Sequence, residues 1–420
     1  MHNLNGRGID MTDRKSLAYC GLLNLRIDNF KNFDDFSMEF TPLTVIVGNN
    51  SVGKSSLLQA IAFLKYACTA SVEEYLKDRA VKVEDLTSKG LTKVKKIMSF
   101  AVSFETVNKS IFWEITFLTD KTNNRIVLRS ETISYLEKGS EVKQTVLDFK
   151  NGKGIRNRRS EEVGKPMESE SIFSGVFQSS LLKFIDERSE EKLYPEMCLI
   201  KRFFENTEPL DLLTPRNMRK TVRGKERVLG ISGEKLPALI QQLTGNEKKK
   251  LVASLEKVLP NLKEIDSVTG RAGWTHLETR EDFQNRQIKV PASGISDGTL
   301  RLMALFSLSF LNKSHGMILL DEVEDGINVA NIQLFVEYLH KYIKQQEEQV
   351  VVTTHSSVVM DYVEPSEIRY FYRDEKGFTR CKNFMDIPNA KKQLDFLYPG
   401  EIILNSSEEE LLADSKQDKE

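Results

Sequence analysis

A short segment in the first part of the chain has the residue types and spacing of a phosphate-binding loop. It consists of Gly48, Asn49, Asn50, Ser51, Val52, Gly53, Lys54, Ser55 and Ser56. The two glycines let backbone N–H groups approach an anion, and a helix that begins at Gly53 adds the positive end of its dipole. We expect Lys54 to bridge the β and γ phosphates of a nucleotide and the Ser55 hydroxyl to ligate Mg²⁺.

A second candidate is a pair of acids at the end of an apolar run. Residues 317–320 are all apolar, and Asp321 and Glu322 follow them. Such a run is typical of a buried central strand whose tip delivers carboxylates to the ligand edge of a parallel sheet. Asp321 is predicted to hold Mg²⁺ through water, and Glu322 to orient and deprotonate an attacking water. On its own, the segment is equally compatible with a strand end that carries a solvated acidic cap.

The segment from Ser296 to Arg301 is a third candidate, because it opens an apolar helical pattern. Ser296 and Gly298 at a helix N-terminus would leave N–H groups pointing outward, which makes an anion site. One phosphate loop already serves one nucleotide. The second anion site therefore predicts a head-to-tail pair of copies with two nucleotides between them. Ser296 and Asp297 are also good capping residues, so a plain helix cap is the alternative.

A histidine at the end of a strand is the fourth candidate. His355 follows the β-rich run 349–353, the next predicted strand after the acidic pair. In a parallel sheet it would emerge at the same ligand edge as Asp321, where it could reach the γ phosphate. We interpret the other histidines as structural: His2, His276, His315 and His340.

These four elements, in this order, resemble the ABC-type ATPase heads of the RecF and SMC group. The phosphate loop looks like Walker A, residues 317–322 like Walker B, residues 296–301 like the signature motif, and His355 like the switch histidine. Within that group the chain is most similar to stand-alone bacterial ATPases of the AAA family, which share the phrases 29–33 and 296–302.

The resemblance implies an Mg²⁺-dependent ATP hydrolase whose heads close as ATP-bound dimers and open after hydrolysis. It also implies that Ser296 and Gly298 contact the nucleotide of a second copy. The signature reads Ser-Asp-Gly-Thr, which argues against a membrane transporter subunit, where Leu-Ser-Gly-Gly-Gln is usual. Residues 323–328 read Val-Glu-Asp-Gly-Ile-Asn, where close relatives usually carry Pro-Glu-Asn-Gly-Leu-His.

The fold class predicted is α/β, a P-loop NTPase head with a mixed sheet, an antiparallel β subdomain and an inserted helical lobe. A three-strand meander is expected over 97–136, a mobile solvated loop over 138–170, and helices from 172 to about 262. The predicted divisions are 20–137 and 291–385 for the two parts of the head, 138–290 for the mainly helical insertion, and 386–420 for an extension with an acidic tail.

Composition sets further limits. The chain has 420 residues, with 60 Lys plus Arg against 61 Asp plus Glu, so binding to nucleic acid would need a local patch. No apolar stretch approaches the roughly 20 residues of a membrane span, and the first residues lack the apolar centre of a signal peptide. The four cysteines are far apart, which favours neither a disulfide framework nor a zinc site. We therefore expect a cytoplasmic protein.

One local patch is basic, and it leaves the choice of partner open. It contains Arg216, Arg219, Lys220, Arg223, Lys225, Arg227 and Lys248 to Lys250, and no aromatic residue interleaves with it in the sequence. Such a cluster would bind the backbone of double-stranded DNA without reading its sequence. A solvated helical face is the simpler alternative. Family members often act in DNA maintenance or phage defence, which implies a DNA-linked role or a separate effector protein.

Other functions are less compatible with the sequence. A nuclease of the TOPRIM type needs more residues than those after the predicted head, so nuclease chemistry would come from a separate chain. A cohesin-like arm would need sustained heptads between Lys54 and Ser296, which the sequence lacks. A scaffold that binds nucleotide without hydrolysis is disfavoured by Lys54, Asp321 and Glu322. The remaining alternative is an ATP-binding regulatory subunit of a toxin or nuclease complex without DNA contact.

Overall fold

The computed structural model describes residues 21–89, 95–158, 168–172, 174–210, 214–284, 286–311 and 316–413. These residues form two compact units, each described here by itself. The first comprises described residues of 21–30, 37–40 and 66–205, and the second those of 31–36, 41–65 and 206–413.

The described residues contain the following strands and helices. The strands are β1 Gly21–Asp28, β2 Phe36–Glu39, β3 Leu43–Val47, β4 Ile97–Glu105, β5 Lys109–Asp120, β6 Arg125–Glu137, β7 Gln144–Lys150, β8 Lys153–Arg158, β9 Glu168–Ile172, β10 Glu208–Leu210, β11 Leu262–Thr269, β12 Thr275–Phe283, β13 Arg286–Pro291, β14 Met317–Leu320, β15 Gln349–Thr353, β16 Ile368–Arg373 and β17 Thr379–Asn383. The helices are α1 Lys54–Thr69, α2 Val72–Asp78, α3 Val83–Leu86, α4 Glu187–Glu190, α5 Pro195–Asn206, α6 Pro215–Met218, α7 Leu236–Gln242, α8 Gly245–Leu255, α9 Asp297–Phe306, α10 Ile332–Gln346, α11 Ser357–Asp361, α12 Pro388–Gln393, α13 Pro399–Asn405 and α14 Glu408–Leu412. None of these helices is both long and apolar enough to cross a membrane.

The first unit is built on a sheet in the order β2-β1-β4-β5-β6-β7-β8-β9, and its neighbours from β1 to β9 are antiparallel. Side chains of β4 alternate between buried and partly buried along the whole strand, as a sheet with one face on a core requires. The predicted meander is therefore confirmed.

The prediction of a mobile loop over 138–170 is wrong for the described part of that range, because the sheet continues there through β7, β8 and β9. The charges that suggested a loop are paired across strands. Arg156 contacts Glu170 at 2.6 Å and Arg158 contacts Glu168 at 2.5 Å. Opposite charges that face each other on neighbouring strands stabilise the pairing, so a charge-rich segment became a hairpin. Arg159 lies outside the described residues.

The second unit contains a six-stranded sheet of described residues in the order β10-β14-β15-β3-β16-β17. The strands from β10 to β16 are parallel to their neighbours, and β17 is antiparallel to β16. Every residue of β3, β14 and β15 is buried, which explains their continuous apolar sequence. Leu320 pairs with Val352, and Thr353 with Ile46, so these three strands end at one edge. The predicted strands 317–320 and 349–353 are confirmed.

The prediction that the lobe 138–290 is mainly helical is only partly right. Helices α5, α7 and α8 are present within the range 172–262 in which helices were predicted. However, β10 is a short edge strand of the parallel sheet, and β11, β12 and β13 form a separate antiparallel sheet. Pro209 in β10 hides the strand signal, since proline is tolerated only at sheet edges.

The acidic tail also begins with a helix, α14, whose Leu411 is buried, whereas residues 414–420 lie outside the described range.

Glu131 is a buried acid in the first unit. Its side chain is 0% exposed and accepts hydrogen bonds from the Trp113 indole at 2.8 Å, the Leu181 N–H at 2.7 Å and the Ser180 hydroxyl at 2.5 Å. Burial raises the pKa of this carboxyl to about 7, although the three donors lower it.

This raised pKa predicts a pH-dependent stability that Glu131→Gln removes. Below about pH 4.5 the carboxyl is protonated in both the folded and the unfolded state. Above pH 7 it is ionised in both, and the desolvation of the buried carboxylate then opposes folding. Relative to the variant, the wild-type free energy of unfolding should fall by about 3 kcal/mol as the pH rises through this window. Urea unfolding of both proteins from pH 4.5 to 8 measures it. A difference that stays constant with pH would contradict the assignment.

Candidate functional site

The loop between β3 and α1 has the backbone that phosphate binding requires. Gly48 has φ +143°, and a Cβ there would lie 2.2 Å from the Phe371 carbonyl oxygen. Gly53 has φ +111°, and a Cβ there would lie 2.1 Å from Asn32 Nδ2. Both positions therefore exclude any residue other than glycine. The two glycines that the sequence singled out are fixed by the strand β16 on one side and by Asn32 on the other.

Lys54 lies inside this loop. Its side chain donates hydrogen bonds to the carbonyl oxygens of Gly48 at 2.9 Å and Asn49 at 3.0 Å, and the residue is 6% exposed. Burial lowers the pKa of the ammonium, while the charges of Asp321, Glu322 and Glu324 raise it. The structure thus brings Lys54 and the acidic pair together at one place.

Ser55 and Asp321 meet across the sheet edge. The Ser55 hydroxyl donates to Asp321 Oδ1 at 3.1 Å, although the two residues are 266 positions apart in the chain. Asp321 also accepts a hydrogen bond from the Thr353 hydroxyl at the end of β15. The sequence did not identify Thr353. Ser56 follows in the first turn of α1 and is partly buried.

The other residues of the loop lie on its outer side. Asn49 and Asn50 are exposed, and the Asn49 amide donates to Glu408 in α14 at 2.8 Å. The Ser51 carbonyl accepts a hydrogen bond from Arg373 Nε at 3.1 Å. Two side chains from the last part of the chain therefore hold the loop from outside, and sequence reasoning identified neither.

Glu322 and His355 also lie at this edge. The Glu322 side chain is exposed, its φ is +47°, and its backbone N–H donates to the Thr353 hydroxyl at 2.9 Å. His355 follows β15 directly and is exposed. Because β14 and β15 are parallel neighbours, the prediction that His355 emerges beside Asp321 is confirmed for its position in the sheet. Its role stays a prediction.

Glu324 links these two segments, and the sequence analysis missed it. Its carboxylate accepts hydrogen bonds from the Thr354 hydroxyl at 2.8 Å and the His355 backbone N–H at 2.6 Å. The only signal in the sequence was an acid in the loop after Glu322. The carboxylate fixes the start of the His355 segment against the loop that follows β14.

Ser296 and Gly298 belong to a second group of residues around the N-terminus of α9. The Ser296 hydroxyl accepts from the Thr299 N–H at 3.1 Å, so the capping interaction is present, and Ser296 is exposed. A Cβ at Gly298 would lie 2.2 Å from the Gly326 carbonyl oxygen. Arg301 donates to the Asp325 carbonyl at 3.0 Å. The segment is thus packed against the loop that follows Glu322.

Arg219 holds the same segment from the other side. Its guanidinium donates to the Ile295 carbonyl at 2.6 Å and to Asp297 Oδ1 at 2.5 Å. The sequence analysis placed Arg219 in a basic patch. Its partners instead make it a positioning residue for the turn that presents Ser296.

Comparisons with known proteins identify the family of the chain. Residues 43–361 match the family described as AAA domain, putative AbiEii toxin, Type IV TA system. The chain belongs to this family. A relative named ATP/GTP phosphatase, from Helicobacter pylori, is 23% identical over 364 residues, which cover 81% of this chain and 87% of that protein. The family match assigns an AAA domain to residues 43–361 of this chain.

More distant likenesses concern the fold. A probable ATP-dependent transporter, ycf16, from Antithamnion sp. is 20% identical over 147 residues, 34% of this chain and 56% of that protein. An SMC head bound to the C-winged helix domain of ScpA has a TM-score of 0.51 at 13% identity, over 86% of this chain and 97% of that one. An SMC head with an extended coiled coil, bound to the C-terminal domain of ScpA derived from Pyrococcus furiosus, also has a TM-score of 0.51 at 13% identity, over 90% and 99%. The fold is that of an ABC-type, SMC-like ATPase head.

The Glu324 contacts predict that Glu324→Gln slows ATP turnover without weakening ATP binding. Both Glu324 oxygens accept from donors. In glutamine the NH₂ would either face the His355 N–H or force the Thr354 hydroxyl, which already accepts from the Ser356 N–H, to accept a second bond, and the neutral amide oxygen holds the His355 segment less tightly than a carboxylate does. Turnover should fall about tenfold or more. Glu337→Gln, on the exposed face of α10, is the matched control. Wild-type turnover in Glu324→Gln would show that this link has no influence on the chemistry.

The Arg219 contacts predict a loss of turnover in Arg219→Gln, because the shorter neutral side chain releases the turn before α9. Steady-state ATP hydrolysis should fall about five- to tenfold, while ATP binding by the single chain stays unchanged. Arg216→Gln is the control, since Arg216 is exposed nearby in the sequence. Equal losses in the two variants would indicate a general charge effect instead of positioning.

Proposed function

We propose that the chain is an Mg²⁺-dependent ATPase that converts ATP and water to ADP and phosphate and acts as an ATP-gated dimerising switch. The observation that carries the proposal is the hydrogen bond of 3.1 Å between the Ser55 hydroxyl and Asp321, next to the buried side chain of Lys54. These groups match the three needs of a nucleoside triphosphate. The hydroxyl and the carboxylate can ligate a metal ion, the ammonium can neutralise charge, and the start of α1 supplies backbone N–H donors.

The donor set at this edge fits Mg²⁺. Ser55 and Asp321 offer hard oxygen ligands close enough to share one ion, and Mg²⁺ prefers such ligands together with water and phosphate oxygens. Ser55 would ligate the ion directly and Asp321 through water. When bound, the ion would neutralise charge that develops on the β and γ phosphates.

The protein's own residues would divide the remaining work. Lys54 would exchange its hydrogen bonds to Gly48 and Asn49 for bonds to phosphate oxygens, and the added negative charge would favour its protonated form. Glu322, exposed beside the acidic edge, would take a proton from the attacking water. His355 would contact the γ phosphate from the tip of β15.

Dimerisation would complete each site. Ser296 is exposed at the N-terminus of α9 and is packed through Gly298 against the loop after Glu322, so a second copy could present this segment to the nucleotide. If each copy supplies part of the other's site, ATP binding and dimer formation are linked by mass action. Hydrolysis would then reopen the pair.

Two variants test this proposal. Lys54→Ala removes a charged donor to phosphate and should weaken ATP binding by roughly 10- to 100-fold, which corresponds to about 1.5–3 kcal/mol. Glu322→Gln keeps the binding contacts but lacks the base, so turnover should fall at least about 100-fold while an ATP-bound dimer accumulates. Calorimetric titration with ATP and light scattering after size exclusion, with and without ATP, measure both effects.

The two parts of the proposal fail in different ways. Wild-type turnover by Glu322→Gln would refute the assignment of the base. A Glu322→Gln protein that binds ATP but stays monomeric would refute the dimer switch and leave the ATPase assignment standing. The double variant Glu322→Gln with Ser296→Arg is the matched control, because a bulky cation at Ser296 should prevent the dimer without touching the nucleotide loop.

The output of the switch would pass to another macromolecule, in DNA maintenance or phage defence. Two comparisons support a separate protein partner: the family description names a putative toxin of a toxin–antitoxin system, and both SMC heads were solved with ScpA domains bound. The second candidate function is accordingly an ATP-binding regulatory subunit of an effector complex. Growth arrest that needs an adjacent gene and intact Lys54, but no DNA binding, would favour it.

A further inference from the structure

An exposed aromatic and cationic surface lies outside the site described above. It comprises the Arg223–Trp274 pair and three exposed cations of the same chain segment, 216–225: Arg216, Lys220 and Lys225. We call it the Arg223–Trp274 surface. The Arg223 guanidinium lies over the Trp274 ring, 4.7 Å from its centroid, and Trp274 is 44% exposed. Val222 and Thr275 exchange backbone hydrogen bonds of 2.9 Å, which fixes the two side chains next to each other. No aromatic residue lies within this cluster in the sequence, but the fold brings Trp274 against it.

The charge of this surface is not compensated within the described residues. Three members of the basic cluster are neutralised elsewhere: Arg219 by Asp297, Arg227 by Glu247 and Lys248 by Asp266. In contrast, the four cations of the Arg223–Trp274 surface are exposed and form no ion pair with a described residue. They lie within residues 216–225, and the one acid just beyond them, Glu226, is paired with Lys235. The surface is thus a local site of positive charge on a nearly neutral chain.

The space beside the Arg223–Trp274 pair is open. Gly224 and Gly273 directly follow and precede the two residues, and a Cβ at either position would meet no described atom within 4 Å. Ala272 and Gly273 have left-handed backbones, with φ of +63° and +78°, which turn the chain just before Trp274. A flat ligand would stack on the exposed part of the indole that the Arg223 guanidinium does not cover.

We propose that the Arg223–Trp274 surface binds single-stranded nucleic acid, with a base stacked on Trp274 and phosphates on Arg216, Lys220 and Lys225. Single-strand sites combine a positive path for the backbone with an aromatic face for the bases. A duplex offers the same phosphates but keeps its base faces stacked inside, and an acidic polypeptide has no flat face for the indole. This inference rests on the proposed function, because single-stranded nucleic acid would be the macromolecule to which the proposed switch responds.

The chain carries its own probe for this interaction. It has two tryptophans, and Trp113 is 0% exposed, so a ligand that stacks on Trp274 should quench the exposed part of the intrinsic fluorescence. We expect an oligothymidylate of about 12 nucleotides to quench it in the absence of ATP. Trp274→Ala should abolish the quenching and weaken binding of a labelled oligonucleotide about tenfold. Lys220→Gln, which removes one proposed phosphate contact, should reduce the slope of log affinity against log salt by about 0.7.

Controls separate this inference from the ATPase proposal. Lys341→Gln, an exposed lysine of α10, should leave quenching and affinity unchanged. Trp274→Ala should retain wild-type basal ATP turnover, which shows that it folds. The inference is overturned if duplex DNA of equal length binds as tightly as the single strand, if poly-glutamate binds in place of the oligonucleotide, or if no polymer binds. Because the titration contains no ATP, each of these results leaves the assignment of Lys54 and Glu322 untouched.

Discussion

The parallel alignment of β3, β14 and β15 is the constraint on which the candidate site depends. It ends three fully buried strands at one edge, so the residues after each strand meet although they are distant in the chain. The hydrogen bond between Ser55 and Asp321 is the direct result. A shift of one strand by a single residue would turn its side chains to the opposite face and separate these groups. The apolar interiors of the strands therefore position the polar chemistry at their tips.

The loop after β14 connects this edge to the segment around Ser296. Glu324 fastens its first part to the end of β15, and Gly326 packs against Gly298 in α9. The loop has no room at Gly298 for a side chain, Asp325 forms an ion pair with Arg301 at 3.2 Å, and Val323 and Ile327 are buried in the core. Such a loop can transmit a displacement from one site to the other. The proposed ATP-gated switch needs this property, because the proposed base and the proposed dimer-facing segment would have to respond to the same event.

Charge is distributed in three different ways in this protein. Across β8 and β9, arginines and glutamates face each other and stabilise the sheet. Arg219 is used to hold a turn. In the segment 216–225, four exposed cations form no ion pair with a described residue, and they carry the proposed interaction. The nearly balanced composition conceals these differences, since it reports the sum of charges and not which of them meet.

The sequence alone determined the glycine-rich loop, the acidic strand end and the buried strands β14 and β15, because glycine spacing and continuous apolar runs are local signals with few alternatives. It failed for β7 to β9, for β10 and for β11 to β13, where charged or proline-containing strands depend on neighbours that are distant in the chain. Only the tertiary structure showed which groups these side chains contact: Glu324 the His355 segment, Arg219 the turn before α9, and Arg223 the Trp274 ring. Pairing between side chains depends on distances in space, and a linear pattern of residue types does not contain them.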